Sequence, residues 1–454
     1  MSNDQGSMLE ALGQVEANEA GRVFRQYLRG AVREILTDVM VEEVNSLCGP
    51  SYHPDKESPR YRSGSARGYV YVESRRDEVS RPRVRKRNED GSTEEVTLNS
   101  YRAAQDRQEV NWLLVQSLLA AGSTRQTGKV VHDQRGSSKS QVSRLWRKVG
   151  REKFFQLRRQ SLTEDEDGER RDWLILMLDG VVLADDLVAV VAIGIMAGGQ
   201  KMVLDFELGA SEDVQTASAL VDRLQRRGFA AGGHRPLLVI LDGAKALRKA
   251  VLTHYPDARI QRCLVHKERN LKRYLPQRHT EELGELFDRL RKAQGATAAL
   301  EVLRELDNFL ACENQAALNS LHEAGLDLIQ VHLLDTPSTL HRSLLSTNIV
   351  ENVILNIRRN TDRVKRWQPK TDQASRWLAT GLLWAEEGFQ RIAHYRDLPQ
   401  LVVHLAIRRD EKNLNRLRDQ LPDWLAKQLP PEDEAPQATG EVDAAECVEV
   451  GSVA

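Results

Sequence analysis

WLILMLDGVV at residues 173–182 and PLLVILDGAK at 236–245 each carry an apolar run into the same Leu-Asp-Gly tripeptide, at Asp179 and at Asp242. Short apolar runs bounded by turn signals predict buried strands. Taken singly, each tripeptide reads as a turn, because Asp-Gly is favoured where a strand ends. On neighbouring parallel strands the two carboxylates would instead face each other across one strand spacing, about 4.8 Å. At an effective dielectric near 20 they would repel by several kcal/mol. A cation relieves that repulsion, and clustered carboxylate oxygens suit Mg²⁺ or Mn²⁺. As a pair, the two aspartates therefore point to a metal site.

The flanking sequence predicts such a pairing. DWLILMLDGVV, LVAVVAIGIM and KMVLDFELG are separated by very short connections, so neighbouring strands should be antiparallel. The helix VQTASALVDRLQRRG, the strand PLLVILDG, the helix AKALRKAVLTHY and the strand RIQRCLVH follow. The first of these helices permits a crossover that lays the fourth strand parallel to the first. This order of elements resembles the ribonuclease-H-like α/β fold. Asp185, Asp186, Asp205 and Glu207 are read as strand-edge residues that keep the sheet soluble.

Composition bounds what else the chain can be. It has 454 residues, 41% hydrophobic and 29% charged, enough for two to four ordinary domains. No stretch approaches a membrane span, and the N-terminus lacks a signal pattern, so cytoplasmic residence and no membrane partner are expected. Four scattered cysteines do not make a disulfide framework and suit a reducing compartment. The net charge of -1 conceals an asymmetry: the last 25 residues hold seven acidic residues and no Lys or Arg, leaving +6 on the remainder. That Pro- and acid-rich tail, 430–454, reads as disordered. Basic clusters at 81–87, 144–148 and 358–366 lean together toward a polyanion partner, although each alone is as well read as a solvated face.

Residues 10–48 read as helix, and GYVYVESRRDEVSRPRVR with TEEVTL as a small antiparallel sheet. Its basic strand suits either DNA phosphates or a charged edge that blocks aggregation. Helical stretches from 102 onward include a Gly-containing turn and a second helix opening on a capping box, Ser138 to Gln141. In that helix Val142, Leu145, Trp146 and Val149 form an inward stripe, leaving Lys139, Gln141, Arg144, Arg147 and Lys148 outward. This pattern fits a helix-turn-helix with its second helix in a major groove, and it also fits a basic surface helix of a bundle.

A third acid is available downstream. In LHRSLLSTNIVENVILNIRRNTDRVKRW, Glu351 stands beside the apolar stripe Val350, Val353, Ile354 and Ile357, with Arg358 two turns on. Asn348 to Glu351 equally fits a capping box in which the glutamate only satisfies a backbone N–H. Cys263-Leu-Val-His266 offers two ligands, too few for a tetrahedral zinc site. It reads as a buried thiol and a satisfied histidine on the last strand, or as a feature of the active site.

DGAKALRKAV, QRCLVHKERNLKRYLP and STNIVENVILNIRR together resemble the mutator-type DDE transposases of bacterial insertion sequences, over roughly residues 20–410. Cys263 and His266 match that family's Cys-two-residues-His signature. Gly180 departs from it, since many relatives carry a bulkier residue there, and the acidic tail is not a family hallmark. The resemblance implies catalytic, metal-binding acids at Asp179, Asp242 and Glu351, spaced 63 and 109 residues apart. The second interval leaves room for an all-helical insertion. The implied organisation is an N-terminal helical region with a small basic sheet (1–101), a helix-turn-helix DNA-binding domain (102–160), and a ribonuclease-H-like core in two parts (161–270 and 341–429) around the insertion (271–340).

The implied activity is metal-dependent cleavage and strand transfer at the element's terminal inverted repeats, with two Mg²⁺ per site, replaceable by Mn²⁺. Arg358, Arg359, Arg363, Lys365 and Arg366 would hold phosphates of double-stranded DNA, and Trp367 would either stack on a base or sit in the core. Joining two ends implies a homodimer or larger oligomer, working in the cytoplasm on the nucleoid. The competing readings are a catalytically silent relative acting as a DNA-binding repressor, and a nuclease that cuts without joining.

Overall fold

An amphipathic helix on a short, strongly charged sheet accounts for the N-terminal part of the chain. In the computed structural model, helix α1 (Ala17–Cys48) packs on strands β1 (Arg60–Val72) and β2 (Arg75–Arg87) of a sheet completed by β3 (Thr93–Val96), antiparallel in the order β1-β2-β3. The structure describes residues 17–55, 58–72, 75–88, 90–105, 139–165, 167–184, 186–231, 235–361, 367–368 and 371–429, and it forms two compact units, 1–149 and 150–454. The core of the first unit is Met40, Val44, Cys48, Val70, Val79, Val84, Leu98 and Tyr101. Glu43 of α1 accepts the N–H groups of Asn99 and Ser100, both at 2.8 Å, and so caps helix α2 (Asn99–Ala104). The basic strand β2 is the middle strand, so the edge-protection reading of its charge is corrected. Arg81 and Arg83 are paired with Glu95 of β3, each at 2.8 Å.

The first helix and turn expected of the helix-turn-helix, between 106 and 138, lie outside the described residues, as does the tail from 430. Helix α3 (Lys139–Arg159) starts where the capping box places it but continues for 21 residues, far longer than the short helix expected. Trp146 and Val149 are buried, and Arg144, Arg147 and Lys148 are exposed. The side chains of Lys139, Gln141, Val142 and Leu145 lie outside the description.

The second unit is built on a five-stranded sheet of β4 (Trp173–Ala184), β5 (Leu187–Met196), β6 (Lys201–Gly209), β7 (Leu238–Leu241) and β8 (Arg259–Arg262), in the order β6-β5-β4-β7-β8. The first three strands are antiparallel, and β7 runs parallel to both β4 and β8, as the lengths of the connections require. Side chains alternate between faces. Leu176, Leu178, Val239 and Leu241 meet helices α4 (Val214–Arg226) and α5 (Lys245–His254). Ile175, Met177, Leu238 and Ile240 belong to the larger core on the opposite face. That core takes in α6 (Leu264–Lys272), α7 (Thr280–Lys292), α8 (Gly295–Glu313), α9 (Gln315–Ala324), α10 (Gln330–Leu333), α11 (Ser338–Leu344), α12 (Asn348–Thr361) and α13 (Gln373–Glu386). By the same alternation Asp179 and Asp242 belong to the α12 face.

Asp205 does not keep an edge soluble. It is fully buried on β6, where Arg158, Arg223 and Arg227 approach it at 3.3, 2.7 and 3.1 Å, and the N–H of Phe206 donates to it at 2.8 Å. Glu207 joins the same network through Arg158 and Arg223. Asp186 is exposed, and Asp185 lies outside the described residues. Removing one partner of a buried charge group leaves the others uncompensated, which costs about 3–5 kcal/mol. Asp205→Ala is therefore expected to lower stability by roughly that amount in urea unfolding, whereas Asp186→Ala stays within about 0.5 kcal/mol of wild type.

Candidate active site

The register of β4 on β7 sets the site. Leu178 pairs with Leu241, so the next residues, Asp179 and Asp242, leave the two strands side by side on one face. Their surroundings differ from the expectation of two strand ends. β4 runs five residues beyond Asp179, and Asp179 is itself paired with Val191 of β5. Only Asp242 ends its strand: Gly243 follows with φ +107°, a value that suits glycine, and the Asp242 Oδ1 accepts the Ala244 N–H at 2.9 Å.

Glu351 arrives from the other side, in the first turn of α12. Val350, Val353, Ile354 and Ile357 are all buried beneath it, as the apolar stripe requires. The capping-box reading fails because the helix begins at Asn348 and the Glu351 N–H already donates to the carbonyl of Thr347. The carboxylate turns instead toward His266, whose Nε2 lies 3.1 Å from Glu351 Oε1, an oxygen that is buried and makes no hydrogen bond.

Cys263 and His266 are not on a strand. β8 stops at Arg262, Cys263 caps helix α6, and His266 sits in its first turn. The buried sulfur accepts the N–H groups of His266 (3.5 Å) and Thr347 (3.4 Å), tying the start of α6 to the start of α12. The histidine is therefore part of the acidic cluster, not a satisfied core side chain. One ligand atom from each of Asp179, His266 and Glu351 lies within 4.8 Å of the others. Asp242 stands outside that group but acts on it through its charge.

The electrostatics follow from crowding like charges in a buried place. Burial, then the charges of Asp242 and Glu351, push the Asp179 carboxyl up to about 7. Glu212, between β6 and α4, is pushed up to about 7 by burial and by the charges of Asp242 and Asp179. The hydrogen bond with Cys263 and the nearby anions hold His266 up at about 9 against the opposing effect of burial. Burial raises the Cys263 thiol, but hydrogen bonds from His266 and Thr347 outweigh it, and the net shift is downward. Hard carboxylate oxygens, one of them (Glu212 Oε1) buried without a hydrogen bond and another (Glu351 Oε1) facing His266 Nε2 at 3.1 Å, fit a divalent cation.

A family model described as Transposase, Mutator family matches residues 4–391. The chain belongs to the Mutator family of transposases. This transposase chain is 26% identical over 370 residues to the transposase for insertion sequence element IS905 of Lactococcus lactis, a match covering 78% of the chain and 88% of that protein. It is 28% identical over 235 residues to the ISRM5 transposase of Rhizobium meliloti, covering 50% and 56%. The IS256 transposase of transposon Tn4001 from Staphylococcus aureus matches at 26% over 195 residues, covering 42% and 48%.

Other residues expected to act on DNA are placed unevenly. The Arg358 guanidinium donates to the carbonyl of Val182 at 3.0 Å, fastening α12 to the far end of β4. The Arg359 side chain and residues Arg363, Lys365 and Arg366 lie outside the description, and Trp367 is half-buried. Sequence reasoning missed Glu212 and Thr347. Glu212 lies in a stretch, SEDVQ, that reads only as a helix start, and Thr347 in one that reads as a cap.

The pH dependence has a definite sign. Asp179 and Glu212 are raised above their ordinary values of 3.8 and 4.5, so between roughly pH 4 and 7 the unfolded chain releases protons that the folded site retains. Stability of the metal-free protein falls as pH rises through that window. His266 is raised too, so its contribution is complete below 6.5 and is lost as pH climbs through about 9, in the same direction. In thermal unfolding with EDTA, wild type should lose stability from pH 5 to pH 8. Asp179→Asn should flatten that slope and be more stable at pH 8 by on the order of 1–3 kcal/mol. Parallel slopes for the two proteins would refute the assignment.

Proposed function

We propose that this chain is the transposase of its own insertion sequence, binding the terminal inverted repeats and catalysing metal-dependent DNA cleavage and strand transfer. The observation that carries the reading is the convergence of Asp179, Glu351 and His266 ligand atoms within 4.8 Å, beside Asp242 in matching register. The order β6-β5-β4-β7-β8, with α4 crossing between β6 and β7, supports a ribonuclease-H-like core. Residues 271–340, which hold α7 to α10, form the insertion between its two parts.

Asp179, Asp242 and Glu351 hold the divalent ions, Mg²⁺ or in its place Mn²⁺, two per site. When bound, such ions supply an activated water or 3′-hydroxyl and neutralise charge on the phosphodiester. His266, protonated on Nε2, orients the Glu351 carboxylate. Buried β4 and β7 keep the two aspartates from separating as their charges develop, a preorganisation that water could not provide. A cleft of about 550 Å³ with Lys292 and Arg342 in its lining opens beside Asn348, the first residue of α12, and supports a path for DNA phosphates next to the site. Recognition of the ends falls to residues 102–160, with Lys139, Gln141, Arg144, Arg147 and Lys148 facing DNA and Arg359, Arg363, Lys365 and Arg366 supporting it. Two ends are held by a homodimer or larger assembly. No described helix is long and apolar enough to cross a membrane.

The test uses the inverted repeats read from DNA flanking the gene. Wild type with Mg²⁺ or Mn²⁺ should nick end-containing DNA at the repeat boundary and join it to a target. Asp242→Asn should retain binding and lose cleavage by about 100-fold or more. Binding without cleavage by both proteins would overturn the proposal in favour of a DNA-binding repressor.

A further inference from the structure

Glycine at 180, directly after Asp179, is not demanded by the backbone, since its φ is not among the positive values of the chain. What a side chain there would displace is the end of a neighbouring one. A Cβ built there would lie 2.5 Å from Glu212 Oε2, 2.7 Å from Cδ and 3.0 Å from Oε1, well inside contact. The whole Glu212 carboxyl group therefore occupies the volume that a side chain at 180 would fill, against the backbone that presents Asp179. Its Oε1 is buried and has no hydrogen-bond partner, and no described lysine or arginine pairs with it. The ordinary reason for an acid at this point, capping α4, is already met by Asp213, which accepts the Thr216 N–H at 2.8 Å.

A carboxylate oxygen turned away from solvent, without a donor and packed against the backbone next to Asp179, is an arrangement that a hard cation completes. We propose that Glu212 is a fourth carboxylate ligand of the divalent-ion site, admitted to it by the absence of a side chain at Gly180. The proposal rests on the reading of Asp179, Asp242 and Glu351 as metal-binding acids. It adds a ligand from the β6–α4 connection, so the ions are held from three directions: the sheet, α12 and this connection.

The test is Mn²⁺ binding to the full-length chain without DNA, followed by calorimetry and by the electron paramagnetic resonance signal of free Mn²⁺. Five proteins are compared with wild type: Glu212→Gln, Gly180→Ala, Glu212→Ala, the Gly180→Ala/Glu212→Ala double variant and Asp179→Asn. Glu212→Gln keeps the shape of the side chain and should weaken Mn²⁺ binding by about 10-fold or more. Gly180→Ala should weaken it similarly by displacing the carboxylate. In the Glu212→Ala background the same Gly180→Ala change should cost nothing further, because the group it displaces is gone. Wild-type affinity in Glu212→Gln, or an equal effect of Gly180→Ala with and without Glu212, would overturn the inference. Asp179→Asn separates the two levels: if it abolishes Mn²⁺ binding while Glu212→Gln does not, only the role of Glu212 fails. If neither matters, the metal-site reading fails with it.

Discussion

The parallel pairing of β4 with β7 is the constraint on which this molecule turns. It is held by apolar burial on both faces of the sheet, and it leaves Asp179 and Asp242 no way to move apart. Everything else at the site answers that enforced proximity. The start of α12 brings Glu351 and a protonatable neighbour on α6 brings His266, with the Cys263 sulfur locking the two helix starts together through backbone N–H groups. A sheet that could slip or splay would relieve the repulsion and lose the site. Rigidity here is a functional property supplied by hydrophobic packing some distance from the chemistry.

Two buried aspartates in the same sheet show how partners decide the outcome of burial. Asp205 is surrounded by three guanidinium groups and a backbone donor, and it serves as a brace between β6, α3, α4 and the residue following α4. Asp179 is almost as deeply buried but meets other carboxylates, with a single histidine as cation. The first arrangement is complete as it stands. The second is deficient in positive charge, which the divalent ions of the proposed function would supply.

Much of this was legible from residue order. The apolar runs, the short connections between the first three strands and the crossover before the fourth gave the strand directions, and the stripe of α12 gave the buried face beneath Glu351. What was hidden depended on where elements stop and on distant contacts. Asp-Gly at 179 reads as a turn because local preference cannot see that β5 continues the pairing past it. Cys263 and His266 read as strand residues because the apolar Leu-Val between them extends the run, although the helix begins there. The surroundings of Asp205 required arginines from α3, α4 and residue 227 to converge. Glu212 carries an ordinary helix-start signature, and its place at the site depends on a glycine 32 positions earlier.

That glycine also bears on history. A site in which one residue's carboxylate occupies the space of another's missing side chain cannot be changed freely in either order. Replacing Glu212 by something smaller gives up a ligand but frees the volume, after which position 180 can accept a side chain without clash. The reverse order passes through an intermediate in which the Glu212 carboxylate must swing aside from its place against β4. Lineages carrying a bulkier residue at the position of Gly180 are thus expected to have shortened or redirected the residue at 212, and the two positions should change together as a linked pair.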